Sequence, residues 1–158
     1  MIYEEVSKAM YAPVNVLEIA SDYLRHMRKD LRPVPFIIVL VILPAAIGWL
    51  LYFAGDGVRD CIVLGSVIMM VGLMNLMAVV YIVAARGLEE EELEFVEHLN
   101  STISMTALTA VAVWVLTVAG FMVLVFYATG FLIVNVTVIL VRLHRLVRHR
   151  ISKILYTT

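Results

Sequence analysis

Cysteine is nearly absent from this sequence, and no catalytic motif is visible in it. The single cysteine, Cys61, excludes an internal disulfide and any metal site built from several cysteines. A formal net charge of -1 argues against a basic face for nucleic acid, so no nucleic-acid partner is expected. Walker, GxSxG and Rossmann glycine motifs are also missing. We therefore expect neither an enzyme nor a bound cofactor or metal.

Long uncharged runs occupy most of the chain, which is 63% hydrophobic, whereas a soluble domain is about 45–50% apolar. These runs cover residues 33–55, 61–85 and 99–141. Because about 20 apolar residues cross a bilayer core, the first two runs are one span each and the third fits two. The predicted fold is an all-α membrane protein: a four-transmembrane-helix bundle with an N-terminal amphipathic helix and cytoplasmic helical extensions.

The same runs divide the chain into three parts. Residues 1–32 form a cytoplasmic or interfacial amphipathic helical segment, 33–141 the transmembrane domain, and 142–158 a basic cytoplasmic helical tail. The spans are expected at about 33–54, 61–85, 101–118 and 122–141, with an acidic cytoplasmic loop at 86–100.

Arginine and lysine set the expected orientation, because they are enriched on the cytoplasmic side of membrane proteins. They cluster before span 1, in residues 25–32, and after span 4, in residues 142–153. Both termini should therefore lie in the cytoplasm, which requires an even number of spans. We expect a multi-pass protein of the cell membrane.

The turn between spans 3 and 4 has two possible positions, at Gly120 or at Gly130. Residues 127–130 have the better turn chemistry. A turn there leaves Arg142 near the middle of the membrane, where it costs at least about 2.5–3.5 kcal/mol. A turn at Gly120 places Arg142 at the inner interface. We favour Gly120, and Arg142 becomes a possible functional cation if the other turn is correct.

The N-terminal segment has the periodicity of a helix, with one apolar face and the cations on the other side. The apolar face comprises Leu17, Ala20, Leu24, Met27 and Leu31. Such a helix can lie beside anionic lipid headgroups or pack on other cytoplasmic helices, and the sequence does not separate these interpretations.

Acidic and basic residues are predicted to face one another on the cytoplasmic side. Glutamates crowded on one helix repel each other, and nearby cations relieve that repulsion. The expected pairing joins the acidic segment to the C-terminal tail or to residues 25–32. The acids are Glu89, Glu90, Glu91, Glu92, Glu94 and Glu97, and the tail cations are Arg145, Arg148, Arg150 and Lys153.

Two amides lie within spans, Asn75 in span 2 and Asn135 in span 4. They predict either interhelical hydrogen bonds or a polar pathway. In span 1, Pro44 should kink the helix or loosen its backbone bonding. We expect a small polytopic membrane protein that acts as a structural or interaction subunit, with the lipid bilayer and a homo-oligomer or membrane-protein partner. The alternative is an oligomeric channel or small-solute transporter with Asn75 and Asn135 lining its path.

Overall fold

The computed structural model describes the backbone of residues 15–55, 57–85 and 90–157, and the side chains within 15–55, 57–82 and 92–148. All regular secondary structure in these residues is helical, so the prediction of an all-α fold is confirmed. The elements are α1 (Val16–Asp30), α2 (Pro33–Ile37), a π-helical segment (Ile38–Ile42), α3 (Leu43–Phe53), α4 (Gly57–Ala85), α5 (Glu90–Ala119) and α6 (Met122–Thr157).

Four continuous helical stretches are long and apolar enough to cross a membrane, which confirms the predicted number. Span 1 joins α2, the π-helical segment and α3, while spans 2 to 4 belong to α4, α5 and α6. Each has at least the roughly 20 residues that a bilayer core requires. The stretches are Pro33–Phe53, Gly57–Ile82, Glu92–Ala119 and Met122–Arg148.

Helix α1 begins and ends where local chemistry requires. The Asn15 side chain accepts hydrogen bonds from the backbone N–H groups of Leu17 and Glu18, as an N-cap does. At the other end, Arg32 is extended because the ring of Pro33 disfavours helical geometry in the preceding residue. Pro33 then opens α2, since a proline at the first helical position loses no hydrogen bond.

Span 1 contains the backbone irregularity expected at Pro44. A proline has no N–H, so the carbonyl four residues earlier, that of Leu40, loses its helical donor. The hydroxyl of Tyr127, on α6, donates to this carbonyl at 3.0 Å. The π-helical segment precedes the proline, and its last turn closes with a bond from the N–H of Leu43 to the carbonyl of Ile38. Span 1 is therefore fastened to α6 through the group that Pro44 frees.

The turn between α5 and α6 lies at Gly120, the first of the two alternatives. Gly120 has a φ of 82°, a left-handed conformation that glycine adopts without steric cost. Gly130 lies inside α6. Arg142 follows Met122 by twenty residues, so it lies about 30 Å along the helix, a distance that matches the thickness of a bilayer core.

Gly130 and Gly48 allow α3 and α6 to cross closely. A Cβ added to Gly130 would lie 2.2 Å from the carbonyl oxygen of Pro44, and one added to Gly48 would lie 2.7 Å from that of Phe126. Only glycine permits such backbone contact, which is a common device of membrane helix packing.

Helices α5 and α6 form the centre of the described structure. They pack against each other, α3 packs on α6, and α4 packs on α5. Leu99 and Ile103 of α5 are fully buried beside Ile139 of α6. Helix α1 packs on α5 and lies beside the ends of the spans that are away from the Gly120 turn, where His98, Asn135 and Arg142 are buried.

Candidate functional site

Helix α1 is held to the spans by one stripe of its surface. Tyr23, His26 and Met27 are buried, and their spacing of three and four residues places them on one face. This is not the apolar face that the periodicity predicts. Met27 belongs to both faces, but Leu17 is 80% exposed and Leu24 is 45% exposed. The face of α1 that packs on protein therefore contains Tyr23 and His26 and is not the most apolar face of the helix.

Arg142 is the most heavily bonded side chain at this contact, and it is only 8% exposed. Its guanidinium forms an ion pair with Asp30, at the end of α1. It also donates to the hydroxyl of Thr102 at 2.6 Å and to the carbonyl of His98 at 3.1 Å. A further contact joins it to the sulfur of Met27 at 3.7 Å. Rather than extending toward solvent at the interface, Arg142 connects α1, α5 and α6.

Tyr23 forms a second connection between α1 and α6. Its hydroxyl donates to the side-chain oxygen of Asn135 at 2.6 Å. Burial raises the pKa of Tyr23 to about 12, although the bond to Asn135 opposes the shift, so the phenol stays protonated and can donate near neutral pH. Asn135 is completely buried, and its amide nitrogen has no hydrogen-bond partner among the described residues.

These two polar pairs fix the direction and register of α1 against α6. Tyr23 precedes Asp30 by seven residues, and Asn135 precedes Arg142 by the same seven. Because the order is the same on both helices, α1 and this part of α6 run in the same direction. Seven residues are about two turns, or roughly 10 Å, so the pairs act as two separated fixing points.

Two stacked histidines lie between α1 and α5. The rings of His26 and His98 are 4.1 Å apart, and Nδ1 of His26 is 3.0 Å from the hydroxyl of Ser101. Nδ1 of His98 lies 3.4 Å from the carboxylate of Asp30. Burial lowers the pKa of His26, and the neighbouring His98 lowers it further, so the neutral form is favoured. Other charged groups that act on His26 are Glu97, Asp22 and Lys29.

We call this assembly the docking cluster. It unites side chains from α1 with partners on both central spans. Its members are Tyr23, His26, Met27, Asp30, His98, Ser101, Thr102, Asn135 and Arg142. Sequence reasoning missed Tyr23, His26 and Asp30. One available signal was that an arginine at a membrane boundary needs an acid, and Asp30 stands just before span 1.

Near α1, the described residues form one ion pair of the predicted kind. Glu94 lies 3.6 Å from the ammonium of Lys29 and 3.8 Å from Nε2 of His98, the latter too long for a hydrogen bond. Both side chains of the Lys29–Glu94 pair are about 60% exposed, so its contribution is small, about 0–1 kcal/mol.

The remaining charged candidates are placed as follows. Arg145 and Arg148 are exposed on α6, Glu97 is exposed on α5, and Glu92 is buried. Pairing between the acidic segment and the tail stays a prediction, because much of it lies outside the described side chains. Those undescribed side chains are Glu89, Glu90, Glu91, Arg150 and Lys153.

The two span amides have opposite environments. Asn135 is inside the docking cluster, whereas Asn75 is exposed on α4. Within the described residues Asn75 makes no side-chain hydrogen bond, and nothing joins it to Asn135. The structure therefore brings Asn135 together with Arg142 in one cluster and leaves Asn75 on a separate surface.

The arrangement is chemically suited to holding helices together. Within residues 15–55, 57–82 and 92–148, no three histidine, cysteine, aspartate or glutamate side chains are grouped to hold a metal ion. Four helices able to cross a membrane give the chain the architecture of a small multi-pass integral membrane protein. In comparisons with protein-family models, curated proteins and solved structures, nothing matches the chain.

Proposed function

We propose that the chain is a non-enzymatic structural or interaction subunit of a membrane, and that it self-associates through α4. The observation that carries the proposal is the exposed amide of Asn75. It lies four residues from the midpoint of Gly57–Ala85, or about 6 Å, which is well within a bilayer core of about 30 Å. An amide without a partner at this depth is costly, so a second helix is needed to cover it.

The residues around Asn75 form a stripe suited to another helix, which we call the α4 seam. Their spacing alternates between four and three residues, the periodicity with which left-handed helix pairs pack. Two members are glycines, and a Cβ added to either would meet nothing within 4 Å. The seam comprises Cys61, Gly65, Ile68, Gly72, Asn75, Val79 and Ile82.

A second copy of the chain fits this seam better than an unrelated helix. An amide both donates and accepts, so two Asn75 side chains satisfy each other across a twofold axis. Copies inserted in the same orientation bring each seam residue opposite its own counterpart. The glycines allow close approach, as in other membrane helix pairs. We place both termini in the cytoplasm, on the distribution of arginine and lysine described above.

Cross-linking tests the seam directly. In a Cys61→Ala background, Val79→Cys should form a disulfide-linked dimer under mild oxidation. Ala78→Cys is the matched control, since it is exposed at the same depth but about 100° around the helix. Equal cross-linking of the two variants, or none in either, contradicts the proposed interface.

Measurement of dimerisation in detergent micelles tests the contribution of the Asn75 amide. Interhelical hydrogen bonds in membranes contribute about 0.6–2 kcal/mol, so Asn75→Leu should weaken dimerisation about three- to thirtyfold. Thr137→Val is the control, because that exposed hydroxyl donates to the Ile133 carbonyl of its own helix. Unchanged dimerisation of Asn75→Leu would contradict the proposed contribution of the amide to the interface.

A further inference from the structure

A groove of about 1110 Å³ lies between α1 and the first turns of span 1. It belongs to the face of α1 directed away from the docking cluster. The groove is lined by Ser21, Leu24, Arg25, Arg28, Lys29, Leu31, Pro33, Phe36 and Ile37. Its wall thus combines three cations with apolar side chains and includes no acidic residue.

The cations are close together and weakly neutralised. Arg28 and Lys29 follow Arg25 by three and four residues, so the three cations lie on one side of the helix within about one turn. Arg25 is 3.8 Å from Asp22, in a pair whose side chains are 68% and 44% exposed. Lys29 is 3.6 Å from Glu94, in a pair whose side chains are both about 60% exposed. Arg28 makes no ion pair within the described residues. A net positive field therefore remains at the groove.

The depth of the groove is set by span 1. Phe36 and Ile37 belong to the first turns after Pro33, where the chain begins its first crossing. Arg28 and Lys29 share the groove with these residues and lie within two residues of Asp30, which pairs with Arg142 at the end of span 4, so they lie at the level of lipid headgroups. Arg25 lies one turn further from this end, and its long side chain can snorkel to the same level. Cations at this level attract anionic lipids, while the apolar wall can contact an acyl chain.

We propose that this groove binds one anionic phospholipid of the bilayer, with Arg25, Arg28 and Lys29 holding its phosphate and Phe36 and Leu24 contacting its chains. Arginine offers several N–H donors to a phosphate, and charge-assisted bonds of this kind are strong. The site is separate from the α4 seam, so lipid binding and self-association can fail independently.

Native mass spectrometry of the whole protein in detergent micelles measures retained lipid. Wild type should retain phosphatidylglycerol at lower concentrations than phosphatidylcholine. Each basic residue near an anionic surface contributes about fivefold, so Arg25→Gln/Arg28→Gln should weaken phosphatidylglycerol retention about 25-fold. Arg25→Lys/Arg28→Lys should keep most of it.

The matched control is Arg145→Gln/Arg148→Gln, which removes two exposed cations from the inner end of α6. This variant should retain lipid as wild type does. Equal losses in both double variants would mean general charge attraction and overturn the site. So would equal retention of the two lipids by wild type. Competition by glycerol 3-phosphate at comparable concentration would identify a site for soluble phosphates and overturn the lipid assignment. Circular dichroism verifies that each variant is folded.

Discussion

Replacing Asp30 with asparagine tests whether the docking cluster holds α1 in place. The substitution keeps the size of the side chain and removes the charge that faces Arg142. Breaking a fully buried ion pair costs about 3–5 kcal/mol, but Asp30 is 36% exposed and Arg142 keeps its bonds to Thr102 and the His98 carbonyl. A charge-assisted hydrogen bond contributes about 1.5–3 kcal/mol, so we expect a loss of about 2 kcal/mol.

Hydrogen exchange in micelles measures this loss where it occurs. If α1 opens locally, a cost of about 2 kcal/mol makes its protected amides exchange about 30-fold faster. The amides of α5 and α6 around Leu99 and Ile139 should change much less, because that core does not depend on Asp30.

The matched control for this measurement is Asp22→Asn. Asp22 is also an acid of α1, but its partner Arg25 is 3.8 Å away and exposed, so removing the charge should change stability by less than about 1 kcal/mol. In an Arg142→Met background, Asp30→Asn should lose most of its effect, since its partner is gone. Exchange in Asp30→Asn no faster than in Asp22→Asn would refute the anchoring role.

Two further substitutions probe the packing of the helices and the titration of the docking cluster. Gly130→Ala should destabilise the protein to unfolding in sodium dodecyl sulfate by about 1–3 kcal/mol, because its Cβ would meet the Pro44 carbonyl. Gly57→Ala, which lies outside the α4 seam and has open space around it, should cost less than about 0.5 kcal/mol. Equal effects of the two substitutions would contradict the close crossing of α3 and α6. Burial lowers the pKa of His26 below its ordinary 6.5, so the unfolded chain binds the proton more readily and stability should decrease as the pH falls below 6.5. His26→Gln should reduce that decrease in thermal unfolding measured across this range, and an unchanged pH profile would contradict the assignment.

The spans and the turn were predictable because each depends on a large free-energy difference that nearby residues determine. Run length determines the number of crossings. The cost of an arginine inside the membrane favoured Gly120 over the better turn chemistry near Gly130, and the structure has the turn at Gly120. The effect of Pro44 was equally predictable, since a missing N–H always frees a carbonyl. Its partner, the hydroxyl of Tyr127, is 87 residues away from Leu40 and required the fold.

The docking of α1 was not predictable from periodicity, for a physical reason. Periodicity identifies which residues are apolar, but Leu17 and Leu24 can contact lipid as favourably as protein. The groups that need a protein partner are the polar ones, Tyr23 and Asp30. Their partners on α6 lie 112 residues away, and no local pattern identifies them. The same limit explains why Asn75 and Asn135, indistinguishable in sequence, have opposite environments.

The apolar side chains of a helix beside a membrane gain little free energy by contacting protein rather than lipid, since both environments exclude water. The position of such a helix is then determined by polar groups whose hydrogen bonds and ion pairs lipid chains cannot provide. Tyr23 with Asn135 and Asp30 with Arg142 do this at two points, two turns apart. One pair alone would leave α1 free to rotate about the contact, whereas two in matching order exclude both rotation and reversal. Because the cluster fixes one face of α1 inward, Arg25 and Arg28 are held on the opposite side, facing the groove beside span 1. Asp30→Asn should therefore also weaken the retention of anionic lipid that we propose for this groove, although Arg25 and Arg28 are unchanged.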